Sequence, residues 1–190
     1  MNKPTINFSC IILAGGEGKR VDGRDKGLID YKGKALVQHT IDAVKPQTDE
    51  IIISANRNIA TYETYGYKVI SDATKQYQGP LAGIAAALPY CQNDWVLITP
   101  CDMPFLPSDI IQTLSEQMTD NNLCIAKVND RLQLTMLINK NLLPSIIQSL
   151  KNNQLKLMQW VKSQKHVIHP FPEGDNFKNF NDTIDLILGT

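Results

Sequence analysis

The chain has 190 residues, of which 43% are apolar and 20% charged, a composition typical of a folded globular protein rather than a disordered one. Lysine plus arginine and aspartate plus glutamate both total 19, so the formal net charge is zero. A neutral chain argues against a nucleic acid or an anionic membrane as partner, because both select basic surfaces. The length predicts a single domain, residues 1–190.

The cysteines and the N-terminus predict a cytoplasmic protein. Cys10, Cys91, Cys101 and Cys124 form no Cys-x-x-Cys pair and lie in or beside apolar runs, as reduced core thiols do. The first seven residues are too polar for a secretory signal. No apolar stretch approaches the roughly 20 residues that a membrane helix requires.

A buried strand and a glycine-rich loop open the chain. Residues 8–14 are an apolar run with β-branched side chains, typical of a strand buried on both faces of a parallel sheet. The loop that follows carries glycines at 15, 16, 18, 23 and 27 and cations at Lys19, Arg20, Arg24 and Lys26. Glycine lets backbone N–H groups approach an anion, so the pattern favours a phosphate cradle over a flexible surface loop. It matches neither the P-loop nor the dinucleotide fingerprint.

Strands and helices then alternate along the first 118 residues. Strands are predicted at 50–54, 67–71 and 95–99, and helices at 36–44, 59–65, 80–88 and 107–118. Such alternation predicts an α/β fold of three layers, a Rossmann-like, mostly parallel sheet with helices on both faces.

The second half of the sequence is less regular. Strands are predicted at 123–128, 134–138 and 167–168, and helices at 142–150, 155–161 and 182–188. The change of pattern predicts a nucleotide-binding half at about 1–118 and an acceptor-binding half at about 119–190.

Polar residues follow the next three predicted strands, and ligands of open α/β sheets bind beyond the carboxyl ends of strands. Asn56 offers a donor and an acceptor for a base or ribose, or is a turn residue. Asp72 accepts from ribose or base, or forms an ordinary turn. Asp102, held between two prolines, suits Mg²⁺, which takes few carboxylates beside substrate phosphates; alternatively it caps the following helix.

Cations and asparagines complete the candidate site. Lys26 and Arg20 are placed to neutralise phosphate oxygens, Arg20 through two hydrogen bonds. Asn179 and Asn181 share one face if extended and could reach the metal or a second substrate, or Asn181 caps the last helix.

Several motifs together resemble one family. Leu-Ala-Gly-Gly-x-Gly-x-Arg at 13–20 and Asp-Lys-Gly-Leu at 25–28 are similar to nucleotidyltransferases that activate small phosphates. Ser-Ala-Asn-Arg at 54–57, Val-Ile-Ser-Asp at 69–72, Gly-Pro-Leu-Ala-Gly at 79–83, Pro-Cys-Asp-x-Pro at 100–104 and Asn-Phe-Asn at 179–181 resemble the molybdenum cofactor guanylyltransferases, the MobA family. The family commonly has Gly where this chain has Asp22, and His-Pro where it has Gln133-Leu134.

The resemblance implies transfer of GMP from GTP to the phosphate of molybdopterin, with Mg²⁺ as cofactor and transient contact with cofactor-synthesis or molybdoenzyme-maturation proteins. It implies GTP binding by Leu13, Ala14, Gly15, Gly16, Lys26, Asn56, Asp72 and Asp102, catalysis by Arg20, Lys26 and Asp102, and metal binding by Asp102. It also places Gly79, Gly83, Asn179 and Asn181 at the acceptor site or behind it. A related enzyme that uses CTP usually has Ala at the position of Gly15, so Gly15 favours guanine.

Alternatives remain open at this point. One is a nucleotidyltransferase that uses CTP or acts on a sugar phosphate. The other is a nucleotide-binding module without catalysis, which would bind GTP and release no pyrophosphate.

Overall fold

The computed structural model describes residues 6–16, 23–48, 50–72, 78–118, 121–172 and 177. The strands are β1 Phe8–Leu13, β2 Asp30–Tyr31, β3 Lys34–Ala35, β4 Glu50–Ser54, β5 Lys68–Ile70, β6 Trp95–Pro100, β7 Leu123–Val128, β8 Arg131–Asn139 and β9 Val167–Pro170. The helices are α1 Leu36–Val44, α2 Ile59–Glu63, α3 Pro80–Ala87, α4 Ile110–Ser115, α5 Leu143–Lys151 and α6 Leu157–Ser163.

Seven strands form one mixed sheet in the order β5-β4-β1-β6-β8-β7-β9, and β2 and β3 form a separate small hairpin. Neighbouring strands are parallel except at β8, which is antiparallel to both β6 and β7. The predicted mostly parallel α/β sheet is therefore confirmed. The strands of the second half extend the sheet beyond β6 rather than building a second sheet.

Successive residues of β1 point to opposite faces of the sheet, as the period of two requires. Ile12 joins a buried cluster with residues of α1, α2 and α4, and Ile11 joins a second cluster with residues of α3, α5 and α6. Both isoleucines are fully buried. Because each face has its own layer of helices, the four middle residues of β1 are buried, which explains why the strand is apolar apart from Ser9.

The largest differences from the predicted element ends are at β8 and α4, one in each half of the chain. β8 begins at Arg131 rather than at 134, because its first residues pair with the end of β7 across a tight turn at Asn129 and Asp130. α4 covers only Ile110–Ser115. The residues after it form turns with hydrogen bonds between residues i and i+3 instead of continuing the α-helix. The predicted helix at 182–188 lies outside the described residues. Among the described helices, none has the length and apolar character needed to cross a membrane.

Candidate active site

The carboxyl ends of four parallel strands lie side by side at one edge of the sheet. Backbone hydrogen bonds continue past the strands: Ala14 N donates to Ser54 O at 2.7 Å, and Cys101 N donates to Leu13 O at 3.0 Å. Ala55 N likewise donates to Ile70 O at 3.0 Å. These bonds fix the starts of the four following loops relative to one another, so their side chains converge as the sequence predicted.

A cavity opens at this edge, with an empty volume of about 760 Å³ when its open mouth is counted. Its walls contain all the residues that we predicted to bind the nucleotide, namely Leu13, Ala14, Gly15, Gly16, Lys26, Asn56, Asp72 and Asp102. Gly79 and Gly83 also line it. The structure thus brings these residues together, while their roles remain predictions.

Lys26 and Asp102 form an ion pair inside the cavity. Lys26 opens a short 3₁₀ turn, Lys26–Leu28, and its Nζ contacts Oδ2 of Asp102. Asp102 is only 6% exposed, and a buried carboxylate requires a partner of opposite charge. The alternative that Asp102 caps the following helix is wrong, since α4 begins only at Ile110 and Asp102 faces Lys26.

Asn56 and Asp72 join the ends of β4 and β5. Asn56 Nδ2 donates to Asp72 Oδ2 at 2.8 Å, and Asp72 N donates to Asn56 Oδ1 at 2.9 Å. The other carboxylate oxygen, Oδ1 of Asp72, is buried and has no hydrogen-bond partner among the residues that the structure describes. Burial raises the pKa of Asp72, and the hydrogen bond from Asn56 opposes that rise. Asp72 therefore lines the cavity with one carboxylate oxygen bound by Asn56 and the other buried near Gly83.

Gly83 allows α3 to lie against the sheet at the cavity wall. A Cβ atom at this position would be 2.6 Å from Ser54 Oγ and 3.6 Å from Asp72 Oδ1. No side chain fits at that distance, so the glycine is required for the close contact between α3 and β4. Packing of α3 against the sheet therefore explains why residue 83 is a glycine. Contact of Gly79 or Gly83 with the acceptor stays a prediction.

Three residues that the sequence reasoning did not single out surround Lys26. Asp25, which is 9% exposed, accepts a hydrogen bond from Tyr62 Oη at 2.6 Å, and Arg57 binds the backbone just before it. Burial, with the nearby Cys101 and Asp25, raises the pKa of Tyr62, which therefore stays a neutral donor. The available signal was an acidic residue within a run of cations and an arginine directly after Asn56.

Three predicted residues lie outside the described residues: Arg20, Asn179 and Asn181. Within the described part of the chain, no group of three or more histidine, cysteine, aspartate or glutamate side chains could hold a metal ion. Among the described residues, Asp102 is the ligand that we predicted for a metal at this site. The remaining ligands would come from the substrates, from water or from other parts of the chain.

Solved structures confirm the fold. Molybdopterin-guanine dinucleotide biosynthesis protein A from Archaeoglobus fulgidus superposes with a TM-score of 0.77 at 20% identity, over 95% of this chain and 95% of that chain. The 4-diphosphocytidyl-2C-methyl-D-erythritol synthase from Anaerococcus prevotii gives 0.72 at 16% identity, over 96% and 94%. At such identities the likeness concerns the fold alone, which is that of known nucleotidyltransferases.

Sequence comparison is more specific. Residues 10–167 match the family described as the MobA-like NTP transferase domain. A molybdenum cofactor guanylyltransferase of Shewanella frigidimarina is 40% identical over 180 residues, 92% of this chain and 91% of the relative. One from Cupriavidus metallidurans is 37% identical over 188 residues, 95% and 93% of the two chains. The matched residues extend from Cys10 within β1 to Val167, the first residue of β9, so the chain belongs to the MobA-like NTP transferase family, as its motifs predicted.

Proposed function

We propose that this protein transfers GMP from GTP to the terminal phosphate of molybdopterin, releasing pyrophosphate. The proposal depends on one observation: Lys26, Asp102 and the glycine turn at Gly15 and Gly16 all line the same cavity. The relatives at 36–40% identity, all named molybdenum cofactor guanylyltransferases, support this choice of substrates.

We expect the described residues to bind the phosphates and the nucleoside at neighbouring positions in the cavity. Gly15 and Gly16 line the same cavity as Lys26, which suits a triphosphate that needs amide donors and a cation. Next to Gly15, the Asn56–Asp72 pair would bind the guanine or the ribose, whose N–H and hydroxyl groups are donors that a carboxylate accepts. Asn56 holds Asp72 in place for this contact.

Asp102 would hold Mg²⁺, with the phosphates of the nucleotide as further ligands. A buried carboxylate oxygen fits this hard cation, which is usually bound by one or two carboxylates plus substrate phosphates. When bound, the ion supplies positive charge that stabilises the phosphoryl oxygens during transfer. In the structure Lys26 provides the counter-charge of Asp102, so we expect binding of nucleotide and metal to move the lysine from Asp102 towards the phosphates.

The chemistry requires alignment more than proton transfer. The phosphate monoester of the acceptor attacks the α-phosphorus of GTP, a new P–O bond forms, and the bond to the β-phosphate oxygen breaks. A phosphate monoester is largely dianionic at pH 7, because its second pKa is about 6, so no general base is needed. Lys26, and Arg20 by the resemblance, would neutralise phosphate charge, while the backbone of the glycine turn orients the nucleotide.

The acceptor would bind on the side of the cavity formed by the second half. Leu134 of β8 lines the cavity beside Asp102, and β7–β9 continue the sheet there. The resemblance adds Asn179 and Asn181 to this side. A cytoplasmic location is part of the proposal, supported by Cys10, Cys91, Cys101 and Cys124, which are all free thiols.

The test is a product assay with the purified protein, Mg²⁺, each of the four nucleoside triphosphates, and either molybdopterin or a sugar phosphate. We expect a pterin–guanine dinucleotide and one pyrophosphate per product with GTP alone. A cytosine dinucleotide or a nucleotide sugar would replace the proposal with another nucleotidyltransferase. GTP binding without pyrophosphate release would indicate a non-catalytic nucleotide-binding module.

A further inference from the structure

Arg57 contacts three consecutive residues of the segment that leads to Lys26, two through their backbone carbonyls and the third through its carboxylate. Its Nη1 donates to Gly23 O and its Nη2 to Arg24 O, both at 2.7 Å. Its Nε lies 3.5 Å from Oδ2 of Asp25. Arg57 follows β4 directly after Asn56, so one guanidinium connects a rigid strand end to the end of the glycine-rich loop. The planar fork of arginine suits two neighbouring carbonyl groups in a way that a lysine ammonium does not.

Asp25 adds a second, independent attachment. One carboxylate oxygen accepts from Tyr62 Oη at 2.6 Å, and the other accepts from Asn58 Nδ2 at 2.9 Å. Tyr62 is itself fully buried in α2. The residue before Lys26 is therefore fixed to α2 by charge-assisted hydrogen bonds, which are about twice as strong as neutral ones.

Gly27 fixes the residue after Lys26. It is buried, and a Cβ atom at this position would lie 2.5 Å from Tyr62 Oη and 3.0 Å from Cys101 Sγ. The backbone of Gly27 thus lies directly against Tyr62 and against the residue that precedes Asp102. The backbone on either side of Lys26 is therefore fixed, by Asp25 before it and Gly27 after it. The Lys26 side chain lies in the cavity and contacts Asp102.

We infer that Arg57 is a positioning residue of the transfer reaction, which sets the place of Lys26 through Gly23, Arg24 and Asp25 without touching the substrates. Neither Arg57 nor Asp25 lines the cavity, whereas Lys26 and Asn56 do. This inference rests on the proposed function for its kinetic part only. Its structural part concerns the 23–27 segment itself and is measurable without turnover.

The test compares Arg57→Ala and Arg57→Lys with the parent protein at a temperature well below all melting points. We expect kcat to fall about 30-fold or more in Arg57→Ala and about 10-fold in Arg57→Lys, with KM for GTP changed less, because a small misplacement of a catalytic group costs up to about 100-fold in rate. Trypsin cleavage after Arg24 or Lys26, located by mass spectrometry, should quicken at least about 10-fold in Arg57→Ala.

Two further variants separate positioning from general stability. Tyr62→Phe removes one donor to Asp25 and should shift kcat and cleavage in the same direction by a smaller factor. Lys140→Met is the matched control, because Lys140 Nζ donates to a backbone carbonyl, that of Cys91, at 2.7 Å at the opposite edge of the sheet. It should lower the melting temperature while leaving kcat and cleavage in the 23–27 segment unchanged.

The inference is overturned if Arg57→Ala lowers only the melting temperature and keeps the parent kcat, or if kcat falls while cleavage in the segment stays as slow as in the parent. If the parent protein makes no dinucleotide, the proposed function fails on its own. The trypsin comparison then still decides whether Arg57 holds the segment, and unchanged cleavage would refute it.

Discussion

The two edges of the main sheet carry similar polar side chains and use them differently. At the amino edge, Glu50 accepts hydrogen bonds from Ser9 Oγ and from Gln92 N, the latter at 2.8 Å, and Asn93 N donates to Ser9 Oγ at 3.2 Å. At the carboxyl edge, Asp72 has a buried oxygen without a partner among the described residues, and Asp102 pairs with Lys26 inside the cavity. Polar groups at strand ends therefore indicate a binding site where their hydrogen bonds are incomplete.

The largest expected effect is on the rate of transfer, from a substitution at the carboxyl edge. Asp102→Ala should lower transfer at least about 1,000-fold, because the carboxylate proposed to hold the metal is lost. The melting temperature should change little, since the substitution removes a buried charge together with its need for a partner. Steady-state product formation and thermal unfolding measure the two quantities. Turnover close to the parent rate would remove Asp102 from the mechanism.

Lys26→Met should lower transfer about 100-fold and also leave Asp102 buried without its cation. We expect a loss of about 1–3 kcal/mol of stability at neutral pH, because an unpaired buried carboxylate is costly. Added Mg²⁺ should restore part of this loss, since a ligand that binds only the folded form stabilises it. Thermal unfolding with and without Mg²⁺ tests this: an equal shift in the parent and the variant would contradict the proposed exchange of lysine for metal on Asp102.

Glu50→Gln tests the amino edge, where we expect a loss of stability without a loss of activity. The variant loses a charged acceptor that binds Ser9 and Gln92, so the free energy of unfolding should fall by about 1–2 kcal/mol. Transfer at temperatures below the melting point should remain at the parent rate. Urea denaturation and the product assay check both statements, and a variant with unchanged stability and lowered turnover would assign the amino edge a catalytic role.

The smallest effect concerns Asp72. Its pKa is raised in the folded chain, mainly by burial, so the ionised carboxylate opposes folding once the pH exceeds its ordinary value of 3.8. Asp72→Asn should therefore be more stable than the parent at neutral pH and equal to it well below pH 3.8. The gain should stay below about 1 kcal/mol, because the carboxyl group is partly exposed and water screens its charge. Urea denaturation at both pH values measures it, and GTP binding should weaken in the same variant. A variant less stable than the parent at neutral pH would show that Asp72 is not an unsatisfied group.

Much of the fold could be predicted because its signals are local. The apolar runs that became β1, β4 and β7 fix those strands within one residue, and Pro80 marks the start of α3. The start of β8 was missed by three residues, because Arg131 joins the strand only through its partner across the turn. The site followed from the rule that parallel strands end at the same edge, which put Asn56, Asp72 and Asp102 in one place before any coordinates.

The sequence by itself determined the strand–helix alternation, the glycine turn with Lys26, and the family, because each of these is written in short stretches of neighbouring residues. Only the tertiary structure decided that Asp102 faces Lys26 rather than a helix end, that Asn56 binds Asp72, and that Arg57 contacts the segment before Lys26. Those facts depend on atoms brought together from residues far apart in the chain, where the choice of partner is set by packing and by the cost of burying a charge alone.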